Sequence, residues 1–399
     1  MNRTALCIGA GEEQIPSILE AQRLGLRVVA ADGNPAAPGL KVADVGVATD
    51  ISKVDDVIQL ARAHQVALTL PVPLGRMLTT VGAVNDALGL VGLTEAAAES
   101  CTDKILFHER MQAAGLLRPR QQCAHDAQGV HRAIQEIGFP CIVKPRFGSG
   151  KKGVVAVMDG SETERAIAEH YHSWTTDAQT LVEELMPGRE LGVDGVVLHQ
   201  RVLVPLVRDK LVTPLPYRQE IQYLAPASIG AELVETVRQT LERAVPALGL
   251  DNCLLHADVL IDEHGQCRII EIAGRPAGLL LTSLLLPAVS GANVLREFIR
   301  FQLGEPHDFS PRRLRPACLS FLRLPTGRVS RVPAASAVAE APGVLAYECR
   351  IEPGARLSPI TCSRDVLARG YVLTTAETLP EAQARVEAIL REFRVASEE

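Results

Sequence analysis

The stretch V-K-P-R-F-G-S-G-K-K-G, residues 143–153, decides how this chain is read. Glycines at 148, 150 and 153 free the backbone to curl its N–H groups around an anion. Lys144, Arg146, Lys151 and Lys152 gather positive charge around the same turn. The chain carries 41 Lys and Arg against 47 Asp and Glu, a formal net charge of −6, so such a cluster stands out. P-C-I-V-K-P-R precedes the turn and V-V-A-V-M follows it, which reads as strand, turn, strand. A Walker loop instead passes from a strand into a helix and ends in Lys-Ser/Thr. On these residues alone, the plain alternative is a solvated basic hairpin.

Working toward the N-terminus, T-A-L-C-I-G (4–9), L-R-V-V-A-A (26–31) and A-L-T-L-P (67–71) are apolar runs separated by helical patterns, which predicts a parallel α/β layer. The turn G-A-G-E-E-Q is half of a dinucleotide fingerprint. Gln14 stands where the third glycine belongs, and Glu12 and Glu13 repel a pyrophosphate at the helix start. The glycines there are expected to serve a tight turn, not NAD. From residue 94, T-E-A-A-A-E-S-C-T-D-K opens one helix and offers Thr102 or Asp103 as the cap of the next, which starts at Lys104 and runs to about Gly115. Trp174 is expected to pack the helix of a lid.

Working toward the C-terminus, Q-T-L-V-E-E-L reads as a strand, and G-V-D-G-V-V-L and R-V-L-V-P-L-V as a pair. Arg218, Glu220 and Tyr223 fall in a long polar connection that either meets substrate or is a surface loop. Residues 231–249 form an amphipathic helix with Pro246 kinking its last turn. C-L-L-H-A-D-V-L-I-D and Q-C-R-I-I-E-I-A are two strands of a hairpin turning at Glu263-His264-Gly265. Period two places His256, Asp258 and Leu260 on one face, with Glu271 on the partner strand. Two carboxylates on adjacent strands can hold one hard cation, with phosphate oxygens and water completing its shell. Arg275 follows closely enough to reach the same phosphate. The plain alternative is an ordinary cross-strand pair, and for His256 a hydrogen-bonded strand histidine rather than a base. Residues 317–399 resume with strands and end in a helix with Leu379, Ala382, Val386, Ile389, Leu390 and Phe393 on one face, a small α+β domain.

Composition bounds the rest. With 47% hydrophobic and 22% charged residues the chain is globular rather than disordered. The acidic balance argues against nucleic acid as a partner. The nine cysteines are odd in number and form no C-x-x-C, as expected of a reduced cytoplasmic protein without a disulfide framework or zinc site. No signal peptide is read at the start, and the most apolar stretch, A-G-L-L-L-T-S-L-L-L-P-A-V, is too short to cross a bilayer, so no membrane partner is expected.

Taken together these motifs resemble the ATP-grasp superfamily of carboxylate–amine ligases over about residues 1–305. The resemblance implies a Rossmann-like pre-ATP-grasp domain (1–93), a two-part ATP-grasp fold (94–305) with a lid subdomain at about 140–186, a linker (306–316) and a small α+β C-terminal domain (317–399). It implies ATP and Mg²⁺ as cofactors, with Mn²⁺ as a substitute. Lys104 and Lys144 would touch the ATP phosphates, and the turn bearing Gly148, Ser149 and Gly150 would close over them. In the hinge V-E-E-L-M-P-G-R-E, Glu183, Glu184 and Leu185 would border the adenine, and Glu190 would bind the ribose. Asp258 and Glu271 match the two metal-binding acids; Ala273 replaces a frequent asparagine, which leaves the number of metal ions open. Arg275 and Lys144 would be catalytic, offsetting charge on the transferred phosphoryl group. His256, Arg275, Gly278 and Leu279 would line the substrate pocket. E-I-A-G-R-P-A-G and the tail motifs F-L-R-L-P-T-G-R-V and S-R-D…G-Y-V resemble the L-amino acid ligases. That implies amide or dipeptide formation through an acyl phosphate from small carboxylate and amine substrates; a homodimer is left open. The alternatives are a carboxylase or other carboxylate-phosphorylating enzyme, and a non-catalytic ATP-binding protein.

Overall fold

The computed structural model describes residues 3–173 and 179–396; Trp174, and with it the expected packing on a lid helix, lies outside them. The chain divides into two compact units. The first takes residues 1–118, 192–207 and 229–313, the second 119–191, 208–228 and 314–399.

The first unit opens with four parallel strands in the order Val45–Ala48, Arg27–Asp32, Thr4–Ile8, Val66–Thr69. Thr4–Ile8 is buried along its whole length, as a strand covered on both faces must be. Ala5, Cys7, Val28, Ala30 and Leu68 pack against Ile18 and Ala21 of the helix Ile15–Arg23. Two further helices, Glu95–Thr102 and Lys104–Ala113, follow. The second is capped by Asp103, whose Oδ1 accepts the Ile105 N–H at 3.0 Å. Thr102, the other candidate, turns its hydroxyl back to the Ala98 carbonyl at 2.8 Å. Helix Ala231–Leu248 runs through Pro246 and ends at Gly249 in the left-handed conformation. The hairpin Cys253–Ile261/Cys267–Ala273 is antiparallel, and its turn is built on Asp262, whose Oδ1 accepts the His264 and Gln266 N–H groups at 3.0 and 2.9 Å.

The second unit contains an antiparallel sheet ordered Gln121–Ala124, Thr180–Glu184, Cys141–Pro145, Val155–Val157. Helices Ala127–Ile137 and Thr163–Ser173 cover one face, with Val130, Ile134, Cys141, Val143, Val155, Ala166 and Val182 in the core. The strand–turn–strand expectation for 140–158 is met by Cys141–Pro145 and Val155–Val157. A second sheet in this unit orders residues 208–212, Glu220–Ala225, Ala317–Phe321, Gly370–Thr375 and Val344–Cys349. Helix Leu379–Leu390 closes that core through Ala382, Val386 and Ile389. The small α+β tail thus shares a unit with this four-stranded sheet. Among the described residues no helix is long and apolar enough to cross a membrane.

Asp103→Ala should cost about 1 kcal/mol, the usual worth of an N-cap, and Asp103→Asn much less; urea denaturation of the three proteins checks both.

Candidate functional site

In the second unit the helices occupy one face of the four-stranded sheet, so Lys144 and Glu183 point to the other. They are diagonal neighbours there, since Ile142 pairs with Glu183 and Lys144 with Leu181. Lys144 Nζ lies 2.5 Å from Glu183 Oε2, with both side chains largely buried. Glu183 therefore offers a side-chain partner for Lys144 in addition to any backbone contact. The Leu185 N–H donates to the Pro140 carbonyl at 3.0 Å, so a nucleotide edge would meet the Leu185 carbonyl or displace that bond. Glu184 makes an exposed ion pair with Arg120 at 3.2 Å, worth about 0–1 kcal/mol.

The glycine turn is pinned at both ends. Arg146 bonds Gln179 through its N–H to the backbone carbonyl at 2.8 Å and through its guanidinium to the side chain at 2.7 Å. The Gly153 carbonyl lies 2.6 Å from His170 Nδ1, and Thr180 Oγ1 lies 2.9 Å from Nε2. A carbonyl only accepts, so Nδ1 carries the proton and the Thr180 hydroxyl donates to Nε2. Burial holds the His170 pKa below its ordinary value against the opposing Gly153 bond, which keeps the ring neutral. No sequence signal marked His170; a lone histidine in an amphipathic helix reads as surface.

Beyond the turn, Lys151 Nζ donates to the Arg218 carbonyl at 2.9 Å and meets Glu220 Oε1 at 2.8 Å. Lys210 Nζ lies 3.7 Å from Glu190 and 3.6 Å from Glu220, and the Arg218 guanidinium pairs with Glu190. Burial alone would raise the Glu190 pKa, but Lys210, Lys151 and Arg218 outweigh it and hold the carboxyl below its usual range. One expectation is corrected here. Residues 220–223 are neither a polar connection nor a surface loop: Glu220–Ala225 is a strand between residues 208–212 and Ala317–Phe321. Its polar residues misled because Glu220 faces these cations from a buried position, while Tyr223 is buried under the Arg208 guanidinium.

In the first unit Asp258 stands directly opposite Glu271, and His256 opposite Ala273. The register shifts just after Asp258. Glu271 is exposed and Asp258 half-buried, with His256 Nε2 3.9 Å from Asp258 Oδ1. Among the described residues no cluster of three or more His, Cys, Asp or Glu could hold a metal ion. Two carboxylates fit Mg²⁺, which commonly takes one or two from protein and completes its octahedron with phosphates and water. Cys101, buried in the helix that precedes Lys104, meets the end of this hairpin at Gly274. The Cys101 thiol is pushed up to about 12 by burial, opposed by the Gly274 N–H bonded to its sulfur. A Cβ at 274 would lie 2.7 Å from both the Leu93 and Leu250 side chains, so these would have to shift to admit one.

Arg275 and Pro276 line a cavity with Thr69, Asn85, Cys253 and Phe298. Gly278 and Leu279 lie instead against Glu13: a Cβ at 278 would approach Glu13 Oε1 to 2.8 Å, and the Leu279 N–H donates to that oxygen. Leu279 is half-buried rather than core, and Leu279 and Leu280 both hold positive φ, 54° and 64°. Burial raises the Glu13 pKa above the usual carboxylate range, against the Leu279 bond and the nearby Arg275 charge. Glu13 was noticed in the sequence only as a mismatch to a dinucleotide fingerprint.

Residues 137–283 match the ATP-grasp domain family. The fold agrees: the L-amino acid ligase of Bacillus licheniformis superposes with a TM-score of 0.82 at 20% identity, covering 100% of this chain and 99% of that one. Residues 137–283 are thus an ATP-grasp domain. Residues 320–398 match L-amino acid ligase C-terminal domain 2, so the chain joins an ATP-grasp domain to that C-terminal domain. Among curated relatives, a formate-dependent phosphoribosylglycinamide formyltransferase of Ignicoccus hospitalis is 26% identical over 96% of this chain and 94% of its own length. An alanine–anticapsin ligase of Bacillus subtilis is 24% identical over 48% of this chain and 45% of its own length. The first curated relative it matches is covered over 64% of its length.

Because the Glu13 carboxyl pKa is raised, its ionised form opposes folding, and the cost is absent below the ordinary glutamate range and grows as pH rises through the folded pKa. Glu13→Gln, which keeps an acceptor for Leu279, should therefore melt higher than the parent at pH 7, with the gap closing by about pH 4. Paired thermal melts across that range check it; a gap independent of pH would contradict it.

Proposed function

We propose that this chain joins a carboxylate, an amino acid or related acid, to the amine of an amino acid in an ATP-dependent reaction that gives an amide or dipeptide, ADP and phosphate. The observation that carries the proposal is the facing carboxylate pair Asp258–Glu271 just ahead of Arg275, in a chain with an L-amino acid ligase C-terminal domain. A carboxylate is a poor electrophile. Its oxygen attacks the γ-phosphorus of ATP, ADP leaves, and the acyl phosphate so formed carries a leaving group. The amine then attacks the acyl carbon, the C–O bond to phosphate breaks, and the amine proton passes to solvent or a base.

Such chemistry asks the protein for position and charge rather than covalent participation. In the second unit Lys144, with Glu183 as its partner, and Lys151 in the glycine turn would meet phosphate oxygens, and Glu190 would hold the ribose. In the first unit Lys104 and Arg275 would offset charge on the transferred group. Asp258 and Glu271 would hold Mg²⁺, which when bound supplies Lewis-acid neutralisation of phosphate charge. The turn at 147–153 would keep water from the acyl phosphate. Gly278 and Leu279 would set the room for a substrate side chain beyond Arg275. The second reading, phosphorylation of formate or another small acid, is favoured by the likeness to the formyltransferase along nearly the whole chain.

A phosphate-release screen over amino acid pairs, formate and bicarbonate, with mass spectrometry of products, separates the two. Phosphate release that needs two amino acids and yields their condensation product is expected; release with formate or bicarbonate alone would replace the proposal. Glu271 is exposed, so Glu271→Ala should leave the fold intact and lower turnover at least ~100-fold, the several kcal/mol that metal-borne charge neutralisation supplies. Near-normal turnover by a folded Glu271→Ala protein would remove the metal assignment.

A further inference from the structure

The tip of the glycine turn rests on the C-terminal domain. Gly150 has φ 67°, its carbonyl accepts the Ser363 N–H at 3.2 Å, and a Cβ at 150 would run into Ser363 Oγ. Only a residue without a side chain can sit this close in a left-handed conformation. Ser363 opens a single helical turn, Ser363–Leu367, so it needs rigid support from its neighbours. Asp365 gives that support: its Oδ2 accepts the Thr361 N–H at 2.8 Å, the Thr361 hydroxyl at 2.9 Å and the Cys362 N–H at 3.1 Å. Arg369, 6% exposed, ties the loop from beneath by donating to the carbonyls of Leu324 and Ser358. The tail motif S-R-D…R-G-Y-V is thereby accounted for. Its serine faces the turn, its aspartate locks the residues before the serine, and its second arginine anchors the approach.

We propose that the Thr361–Asp365 element is the seat of the glycine turn, and that Ser363 is a positioning residue which holds Gly150 in this seated arrangement. Arg146 and His170 fix the ends of the turn, but neither reaches its tip. Lys151 fixes the tip on one side through Arg218 and Glu220, and Ser363 takes Gly150. The consequence for the reaction rests on the function proposed above: a turn that lifts from its seat lets water reach the acyl phosphate, which hydrolyses to the free acid and phosphate. The C-terminal domain then governs coupling, the amide formed per ATP consumed, rather than substrate choice.

The test uses the full-length protein and three variants. Ser363→Val keeps the backbone N–H but crowds Gly150; Gly150→Ala creates the collision from the other side; and Gly150→Ala with Ser363→Gly removes it again. Hydrogen exchange across 146–154 is measured without nucleotide and with Mg²⁺–ATP, and the phosphate-to-amide ratio with whichever substrate pair the screen identifies. Exchange at 149–153 should rise at least about fivefold in Ser363→Val and Gly150→Ala in both conditions, and the double variant should recover much of the protection that Gly150→Ala loses. The phosphate-to-amide ratio should rise several-fold in Ser363→Val with the KM for ATP little changed. Parental exchange in Ser363→Val, or no recovery in the double variant, overturns the seat. Altered exchange with an unchanged ratio overturns its role in coupling. If no substrate pair supports amide formation, the proposed function fails while the exchange measurements still decide the seat.

Discussion

Burying a cation is costly, and the second unit does so repeatedly. Lys210 has a side chain only 2% exposed and Lys144 one 12% exposed. An ammonium removed from water loses several kcal/mol of solvation unless carboxylates stand in excellent geometry around it. Glu183, Glu190 and Glu220 are those carboxylates, and their positions dictate strand register. Glu183 must lie diagonal to Lys144 on the face that the helices leave uncovered. Glu220 must face inward from the strand beside 208–212, which makes a glutamate-led segment a central strand. Arg189 holds the same neighbourhood from the outside through a two-pronged pair with Asp209, Nε donating to Oδ1 at 2.9 Å and Nη2 to Oδ2 at 2.8 Å. Replacing Glu190 or Glu220 removes more than one ion pair, because each serves two cations.

The first unit contains the opposite imbalance in miniature. Glu13 is a half-buried acid with Arg275 as a nearby counter-charge and a hydrogen bond from the Leu279 backbone. Two successive leucines in the left-handed region are costly, of the order of 1–2 kcal/mol per residue. Strain of that kind persists only where surroundings over-determine it, and it gathers around functional sites. Here the over-determination is visible: the Leu279 N–H is committed to Glu13, and a Cβ at Gly278 would displace that carboxylate. The loop after Arg275 is thus shaped by a residue from the first βα turn, more than 260 positions earlier.

This explains which parts were legible in the sequence. The parallel layer, the glycine turn and the hairpin of Asp258 and Glu271 each carry a local signature: continuous apolar runs, glycine spacing, and two carboxylates at matching strand positions. Asp258 and Glu271 fell into register because a short turn on Asp262 leaves the hairpin little freedom. Glu220–Ala225 was misread because strand patterning assumes that buried faces are apolar, and this one is a cation-lined interior. His170, Lys210 and the Glu13–Leu279 bond depend on contacts between distant segments. Glu13 and Leu279 lie 266 positions apart, beyond any window of sequence, and His170 and Lys210 meet Thr180 and Glu220 across intervening turns that neither the helical nor the strand period spans.

Charge bookkeeping also constrains how a nucleotide would enter. Lys151, Lys210 and Arg218 meet Glu190 and Glu220, so these five side chains sum to one positive charge when all are ionised. On the proposed reading Glu190 would turn to the ribose hydroxyls and loosen its hold on Lys210 and Arg218 just as phosphate oxygens arrive. The cations would change partners rather than lose them, and the exchange would cost little because desolvation has already been met in folding. Lys151 belongs both to this exchange and to the glycine turn, through its bonds to Arg218 and Glu220. Movement of the turn would therefore redistribute charge in the cluster, and on the proposed reading nucleotide entry would act on the turn through the same lysine. Binding and closure would then be two descriptions of one rearrangement of ion pairs.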